Sequence, residues 1–296
     1  MGNSLQLGTR GSLLATVQSR WVADQIIGAN IQLKTIKSDG DDLSLSLMNP
    51  TIPGAFVNSL RTALLSGEVD FLVHSMKDLP STPHPELTIA AIPKREDPRE
   101  VLISKENRSF AQLASGTILG TSSPRRLATI SQLNPELICR PIRGNIDSRI
   151  KKVRNGEYDA IILAAAGLAR INRLDEVAEY FDANTFVPAP AQGALAIECR
   201  SDDTELITLL KALEDGEARI TSTAERAVLQ GLQVGCDVAI GAYAQLVDDQ
   251  LTLTAELGGG NGIASQKFTE SATISSISDL TTAQSLGLKL ANLFIR

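Results

Sequence analysis

Asp70-Phe-Leu-Val-His-Ser-Met-Lys-Asp-Leu-Pro80 begins as a short apolar run, turns polar towards its C-terminal end and is stopped by a proline. Phe71 to Val73 have the character of a buried strand, and His74, Ser75, Lys77 and Asp78 follow before Pro80. A strand that ends in ionisable side chains delivers them to the rim of a sheet, where open α/β folds hold ligands. Asp78 is therefore a first candidate for chemistry, with capping of the following turn as the alternative reading.

The stretches on either side carry the same alternation of strand and helix. Leu5 to Gly8 predicts a strand, and Thr9-Arg-Gly-Ser12 a turn into a helix bearing Leu14, Val17 and Trp21 at helical spacing, with Ser12 as N-cap. Arg10 and the Ser12 hydroxyl then stand beside free N–H groups at a helix start, a favourable place for a carboxylate or phosphate. A lone arginine in a turn also reads as solvated surface. Ile31 to Ile36 predicts a second strand, Lys37 to Asp42 is turn-rich, and the segment through Pro50 and Pro53 reads as a surface loop or lid. Phe56, Leu60, Ala63 and Leu64 mark one face of a helix that Gly67 stops. Leu87 to Ile92 is another strand, and the charged Lys94 to Glu100 is either a crossing between domains or a solvated face.

The next segments repeat the strand-to-helix turn with cations in it. Thr117 to Gly120 leads into Thr121-Ser-Ser-Pro-Arg-Arg126, where Ser123 suits an N-cap and Pro124 the first helical position. Leu137 to Pro141 leads into Ile142-Arg-Gly-Asn145 and a helix with Ile146, Ile150 and Val153 on one face. Asp159 to Ala164 is a buried strand with Arg170 just beyond it. Arg10, Arg125, Arg126, Arg143, Arg149 and Arg170 thus recur near strand ends, which points to a site for a polycarboxylate or phosphate, against scattered surface charge.

Val187 to Gly193 reads as a linker, and Ala194 to Cys199 as a strand able to return to the first domain. Asp203 to Leu213 and Glu217 to Gly231 predict helices. Beyond them the pattern changes to two strand-like runs, Val238 to Val247 and Gln250 to Leu257, around an Asp248-Asp249 hairpin signal. A further strand near Phe268 and a helix with Leu286, Leu290 and Leu293 complete a small α+β domain. Cys236, between Gly235 and Asp237, is either an accessible nucleophile or attachment point, or a small inert thiol.

The totals bound the function. A chain of 296 residues predicts two or three domains. A net charge of -6 argues against general binding of nucleic acid, whose phosphates demand a Lys/Arg excess. Cys139, Cys199 and Cys236 are widely spaced and form no CxxC pair, so neither a disulfide framework nor a metal site is expected, and a reducing compartment fits. With no basic, apolar start and no run approaching a bilayer span, the expectation is a cytoplasmic protein without a membrane partner.

In this order the motifs Thr9-Arg-Gly-Ser12, Val73-His-Ser-Met-Lys-Asp-Leu-Pro80, Lys94-Arg-Glu-Asp-Pro-Arg99, Gly120-Thr-Ser-Ser-Pro-Arg-Arg126, Ile142-Arg-Gly-Asn145, Asn155 to Leu163 and Gly235-Cys236 resemble those of the porphobilinogen deaminases, or hydroxymethylbilane synthases. The resemblance implies an α/β fold of two periplasmic-binding-protein-like domains, residues 1–93 with 194–212 and residues 98–188, plus a small C-terminal α+β domain at 216–296. It implies a monomer carrying a dipyrromethane cofactor, covalently attached to Cys236. It further implies that four porphobilinogen molecules are joined head to tail with loss of ammonia, and that hydroxymethylbilane is released by hydrolysis. By resemblance Asp78 is catalytic, stabilising positive pyrrole nitrogens and moving protons. Asp41, Lys77, Ser123, Arg125, Arg126, Arg143 and Gly144 hold the cofactor, and Arg10, Ser12, Gln18, Asn145, Arg149, Arg170 and Gln192 the substrate. The pyrrole acetates and propionates give the arginine cluster its purpose.

The chain departs from the family pattern in the lid, where Ile52-Pro-Gly-Ala-Phe56 and Asn58-Ser-Leu60 lack two lysines. Pro53 and Asn58 stand in their places. The rival expectations are a carboxylate-binding or sensing protein without chemistry, and a transferase acting on a different carboxylated substrate.

Overall fold

The computed structural model describes residues 4–36, 55–234, 238–259 and 265–295. Strands β1 (Ser4–Thr9) and β2 (Asn30–Thr35) flank helix α1 (Leu13–Ala23). The Ser12 hydroxyl accepts a hydrogen bond from the Ala15 N–H at 3.3 Å, so α1 starts where the sequence places its cap. Asp41, Pro53 and the lid residues before Ala55 lie outside the described residues. Helix α2 (Ala55–Leu65) buries Leu60, Ala63 and Leu64 and leads into β3 (Phe71–Ser75). This strand extends past its apolar run to include His74 and Ser75, and a single 3-10 turn, Met76–Asp78, follows. β4 (Leu87–Ala91) comes next.

The charged stretch then runs directly into β5 (Glu100–Ser104), a strand that the sequence analysis does not separate from it. After β5 come β6 (Ile118–Gly120), α3 (Pro124–Leu133), β7 (Ile138–Arg140) and α4 (Ile146–Arg154). β8 (Ala160–Ala164), α5 (Ala165–Arg170) and the short β9 (Glu179–Tyr180) complete this part. The chain continues through β10 (Leu195–Arg200), α6 (Thr204–Leu210) and α7 (Gly216–Leu232). The hairpin β11 (Ile240–Val247) and β12 (Gln250–Leu257), then β13 (Gln266–Thr273) and α8 (Leu280–Ala291), end the fold. Leu293 falls in a turn beyond α8 rather than within it.

The strands form three sheets among the described residues, ordered β2-β1-β3-β10-β4, β7-β6-β8-β5-β9 and β11-β12-β13. The first two share one plan. β1 is parallel to β2 and β3, and β10 runs antiparallel to β3 and β4. Likewise β6 is parallel to β7 and β8, and β5 runs antiparallel to β8 and β9. Each is thus a five-stranded mixed sheet with one inner strand antiparallel to both strands it pairs with. By internal contacts the chain divides into residues 1–95 with 194–219 and residues 96–193 with 220–296, the latter holding the second and third sheets. Each antiparallel strand, β5 and β10, is the first strand after the chain passes from one unit to the other.

Both faces of the second sheet are covered, which is why its strands read as continuous apolar runs rather than alternating ones. Val101, Ile103, Ile161 and Leu163 meet Ile150 and Val153 of α4 on one face. Leu102, Ala160 and Ile162 meet Ile130 of α3 and Phe186 on the other. In the first sheet Leu7, Phe71, Val73 and Ile197 are packed with Val22 of α1 and Leu206 and Leu210 of α6. The antiparallel third sheet rests on α7 and α8 through Ile220, Val228, Leu286 and Leu290. It also abuts α3: a Cβ at Gly258 would lie 2.5 Å from that of Ala128, so only glycine fits there. Among the described residues no helix is long and apolar enough to cross a membrane.

Candidate active site

In the first unit the rim is made by the C-terminal ends of β1 and β3, which the register Leu7 to Phe71 sets side by side. Arg10 and the cap Ser12 leave β1; Lys77 and Asp78 leave β3 on the 3-10 turn. The buried Gln18 amide joins the two ends, with its Nε2 donating to Ser75 Oγ at 3.1 Å. Ser19 Oγ donates to Thr9 Oγ1 at 2.8 Å beside it. The turn is fastened by the Met76 N–H, which donates to the Ala194 carbonyl at 3.0 Å. Met76 is buried, Lys77 half-buried and Asp78 exposed, so packing beneath the turn holds a carboxylate in solvent above it.

Behind this rim lies a network that the sequence analysis passed over. Glu198 of β10 is 2 % exposed and accepts from Arg61 of α2, Nη2 at 2.6 Å, and lies 3.2 Å from His74 Nε2. Burial raises the Glu198 carboxyl, but hydrogen bonds from His74 and Arg61 outweigh it and hold the pKa down at about 2. The signal was present: a glutamate inside Leu195-Ala-Ile-Glu-Cys199 has no solvent to face and demands cationic partners.

In the second unit the corresponding rim gathers the sequence-predicted cations. Ser123 caps α3, accepting from the Arg126 N–H at 3.4 Å, with Pro124 at the first helical position. The cap turns Arg125 and Arg126 inward, where both are buried against Glu100 at the start of β5. Burial lowers the Arg125 pKa while Glu100 opposes that shift. Gly144 takes φ +114 in the turn before α4, and Asn145 caps the helix by accepting from the Ser148 N–H at 2.9 Å. Arg149 Nε donates to the Gly144 carbonyl at 2.8 Å; burial and the nearby charge of Arg126 lower its pKa. Arg143 is exposed at the same turn. Arg170 Nη2 donates to the Gly193 carbonyl at 2.6 Å, and burial brings its pKa down to about 10. Gln192 is buried and donates to the Pro98 carbonyl at 2.8 Å.

The structure therefore gathers Arg10, Ser12, Gln18, Lys77 and Asp78 at one sheet rim, and Ser123, Arg125, Arg126, Arg143, Gly144, Asn145 and Arg149 at another. Arg170 and Gln192 are held at the segment that ends with Gly193. Asp41 and Cys236 lie outside the described residues. Cys199 is an apolar-strand thiol, fully buried and pushed up to about 11 by that burial, which makes it inert. Guanidiniums held partly desolvated at helix starts are the donor set for carboxylates, and they fit a dipyrrole bearing acetate and propionate arms.

Fold and rims together define a mixed α/β protein with cationic side chains gathered at two sheet rims and one exposed acid, Asp78, at the first. Comparison with known proteins is more specific. Residues 5–208 match the family model described as porphobilinogen deaminase, dipyromethane cofactor binding domain, and residues 219–296 match porphobilinogen deaminase, C-terminal domain. The porphobilinogen deaminase of Mycobacterium leprae is 43% identical over 292 residues, covering 97% of this chain and 92% of that one. That of Mycobacterium tuberculosis is 42% identical over 292 residues, covering 97% and 94%. Among solved structures, a putative methionine-binding lipoprotein from Bacillus subtilis aligns with a TM-score of 0.44 at 15% identity, covering 71% of this chain and 89% of that one. The chain belongs to the porphobilinogen deaminase family.

Proposed function

We propose that this chain is a transferase of tetrapyrrole biosynthesis that condenses four porphobilinogen molecules head to tail, releases ammonia at each step and frees hydroxymethylbilane by hydrolysis. The observation that carries this reading is the match to both family domains, spanning residues 5–208 and 219–296, in a chain that keeps Asp78 and Cys236. When bound, dipyrromethane supplies the nucleophilic pyrrole carbon on which the product grows. Cys236 is its thioether anchor. Asp78 is the catalytic acid and base: an exposed carboxylate on a rigid turn stabilises positive charge on pyrrole nitrogens and carries protons between them. Ser123, Arg125, Arg126, Arg143, Gly144, Lys77 and Asp41 hold the carboxylates of the cofactor. Arg10, Ser12, Gln18, Asn145, Arg149, Arg170 and Gln192 hold those of the incoming and growing chain.

The protein works as a cytoplasmic monomer in this reading, with porphobilinogen as its small-molecule partner. Asn58, where the resembling family motif has a lysine, is exposed on α2. Intact-mass measurement tests the assignment. The purified chain carries an adduct of two pyrrole units, gains further units when porphobilinogen is added, and loses the adduct entirely in Cys236→Ser. A chain that turns over no porphobilinogen and carries no adduct after incubation with it is not this enzyme.

A further inference from the structure

Glu100 is fully buried at the first position of β5 and divides its carboxylate between two guanidiniums. Oε1 accepts from Arg125 Nη2, and Oε2 accepts from Arg126 Nη2 at 2.8 Å. Each arginine spends its other terminal nitrogen on a main-chain carbonyl, Arg125 on Val187 and Arg126 on Ile162, both at 2.8 Å. Four bonds thus fix two planar groups. The Nε–H of Arg126 remains, buried and without a partner among the described residues. Arg149 stands close enough to feel the Arg126 charge. A buried donor edge beside a second cation is costly unless an acceptor is supplied from outside the described groups.

We propose that Glu100 is a positioning residue for the carboxylate site: it fixes Arg125 in place and orients Arg126 so that its Nε edge remains for a ligand carboxylate, without itself touching the ligand. This rests on the functional reading above, with the ligand carboxylate one of the cofactor's. Two features make glutamate specific for the task. A carboxylate offers two acceptors, one to each guanidinium, whereas glutamine offers one acceptor and an amide N–H₂ that would meet the other guanidinium donor to donor. Its charge also offsets one of the two buried cations, which the cap turn of α3 forces together.

The test follows pyrrole addition to the full chain by intact mass after porphobilinogen is supplied to the fraction isolated without adduct, for wild type, Glu100→Gln and Glu100→Asp. Circular dichroism reports whether each variant is folded. Glu100→Gln is expected to acquire its first two units at least tenfold more slowly than wild type, and Glu100→Asp, which keeps charge and both acceptors, to recover to within about threefold. A folded Glu100→Gln that loads at the wild-type rate overturns the inference and leaves the functional reading standing. A wild type that never acquires adduct overturns both. Because removing one member of a buried ion cluster destabilises, Glu100→Gln can fail to fold. The comparison is then Arg125→Gln against Glu100→Gln/Arg125→Gln, in which only the support of Arg126 differs. At least threefold slower loading in the double variant supports the positioning role, and equal rates overturn it.

Discussion

Asp78 and Glu198 are carboxylates of the same unit, and their surroundings give them opposite tasks. Asp78 sits in solvent on the turn after β3, with apolar Met76 and Leu79 buried on either side of it in sequence. Replacing it by Asn keeps size and removes charge, so Asp78→Asn is expected to preserve the fold and lower kcat by at least a hundredfold, the scale of a lost general acid and base. Steady-state rates on porphobilinogen beside a circular dichroism spectrum decide this, and near-normal turnover removes Asp78 from the chemistry. Glu198 is instead structural. Its folded pKa of about 2 lies below the ordinary 4.5, so it stabilises the fold fully above pH 4.5 and progressively less as pH falls towards 2. The shift corresponds to roughly 3 kcal/mol at neutral pH. Denaturant midpoints of Glu198→Gln should therefore lie well below wild type at pH 7 and converge with it under acid. A gap that stays constant down to pH 3 would refute this account.

At the scale of elements, the turn before α4 shows how local backbone chemistry builds a binding rim. Gly144 at φ +114 aims the chain so that Asn145 caps the helix and the Gly144 carbonyl receives Arg149. A Cβ there would lie 2.1 Å from Ser148 Oγ. Gly144→Ala is expected to cost on the order of 1–3 kcal/mol from backbone strain alone and to raise KM for porphobilinogen through Arg149. Adding Ser148→Ala removes the clash but not the strain, so calorimetry should show only partial recovery, and full recovery would mean that the dihedral is not the constraint. Such turns were legible in the sequence because caps, Pro124 and glycines are local signals: the starts of α1, α3 and α4 fall where Ser12, Ser123 and Asn145 stand. β5 was not legible, because its first residue is the charged Glu100 and follows Arg-Glu-Asp-Pro-Arg, a run that reads as solvent. What turns Glu100 inward is two arginines some 25 residues further along the chain. The same non-locality hid Glu198, whose partners Arg61 and His74 lie 137 and 124 residues away. The resemblance supplied roles for rim residues, and the two buried glutamates behind the rims emerged only from packing.

At the scale of the molecule, the first sheet is discontinuous in sequence. β4 pairs only with β10 among the described residues, and β10 lies between β3 and β4. Residues 1–95 alone should therefore leave β4 unpaired and fail to give a cooperative unfolding transition. Joining residues 194–219 to that fragment through a flexible linker should restore one, and a cooperative fold of residues 1–95 without them would contradict the strand order. The second sheet has no such gap, since all its strands fall between Glu100 and Tyr180.

That difference has a consequence for how the chain is made. Between Ala91 and Leu195 the ribosome must synthesise about a hundred residues, which at the usual pace takes on the order of ten seconds. Throughout that interval β3 and β4 lack the strand that pairs with them, leaving Phe71, Val73 and Ala91 without their Ile197 neighbour, while the strands of the second sheet emerge complete. The N-terminal part of this protein is thus the last α/β part to close during translation, and the nascent chain, rather than the finished enzyme, is the form most in need of a chaperone.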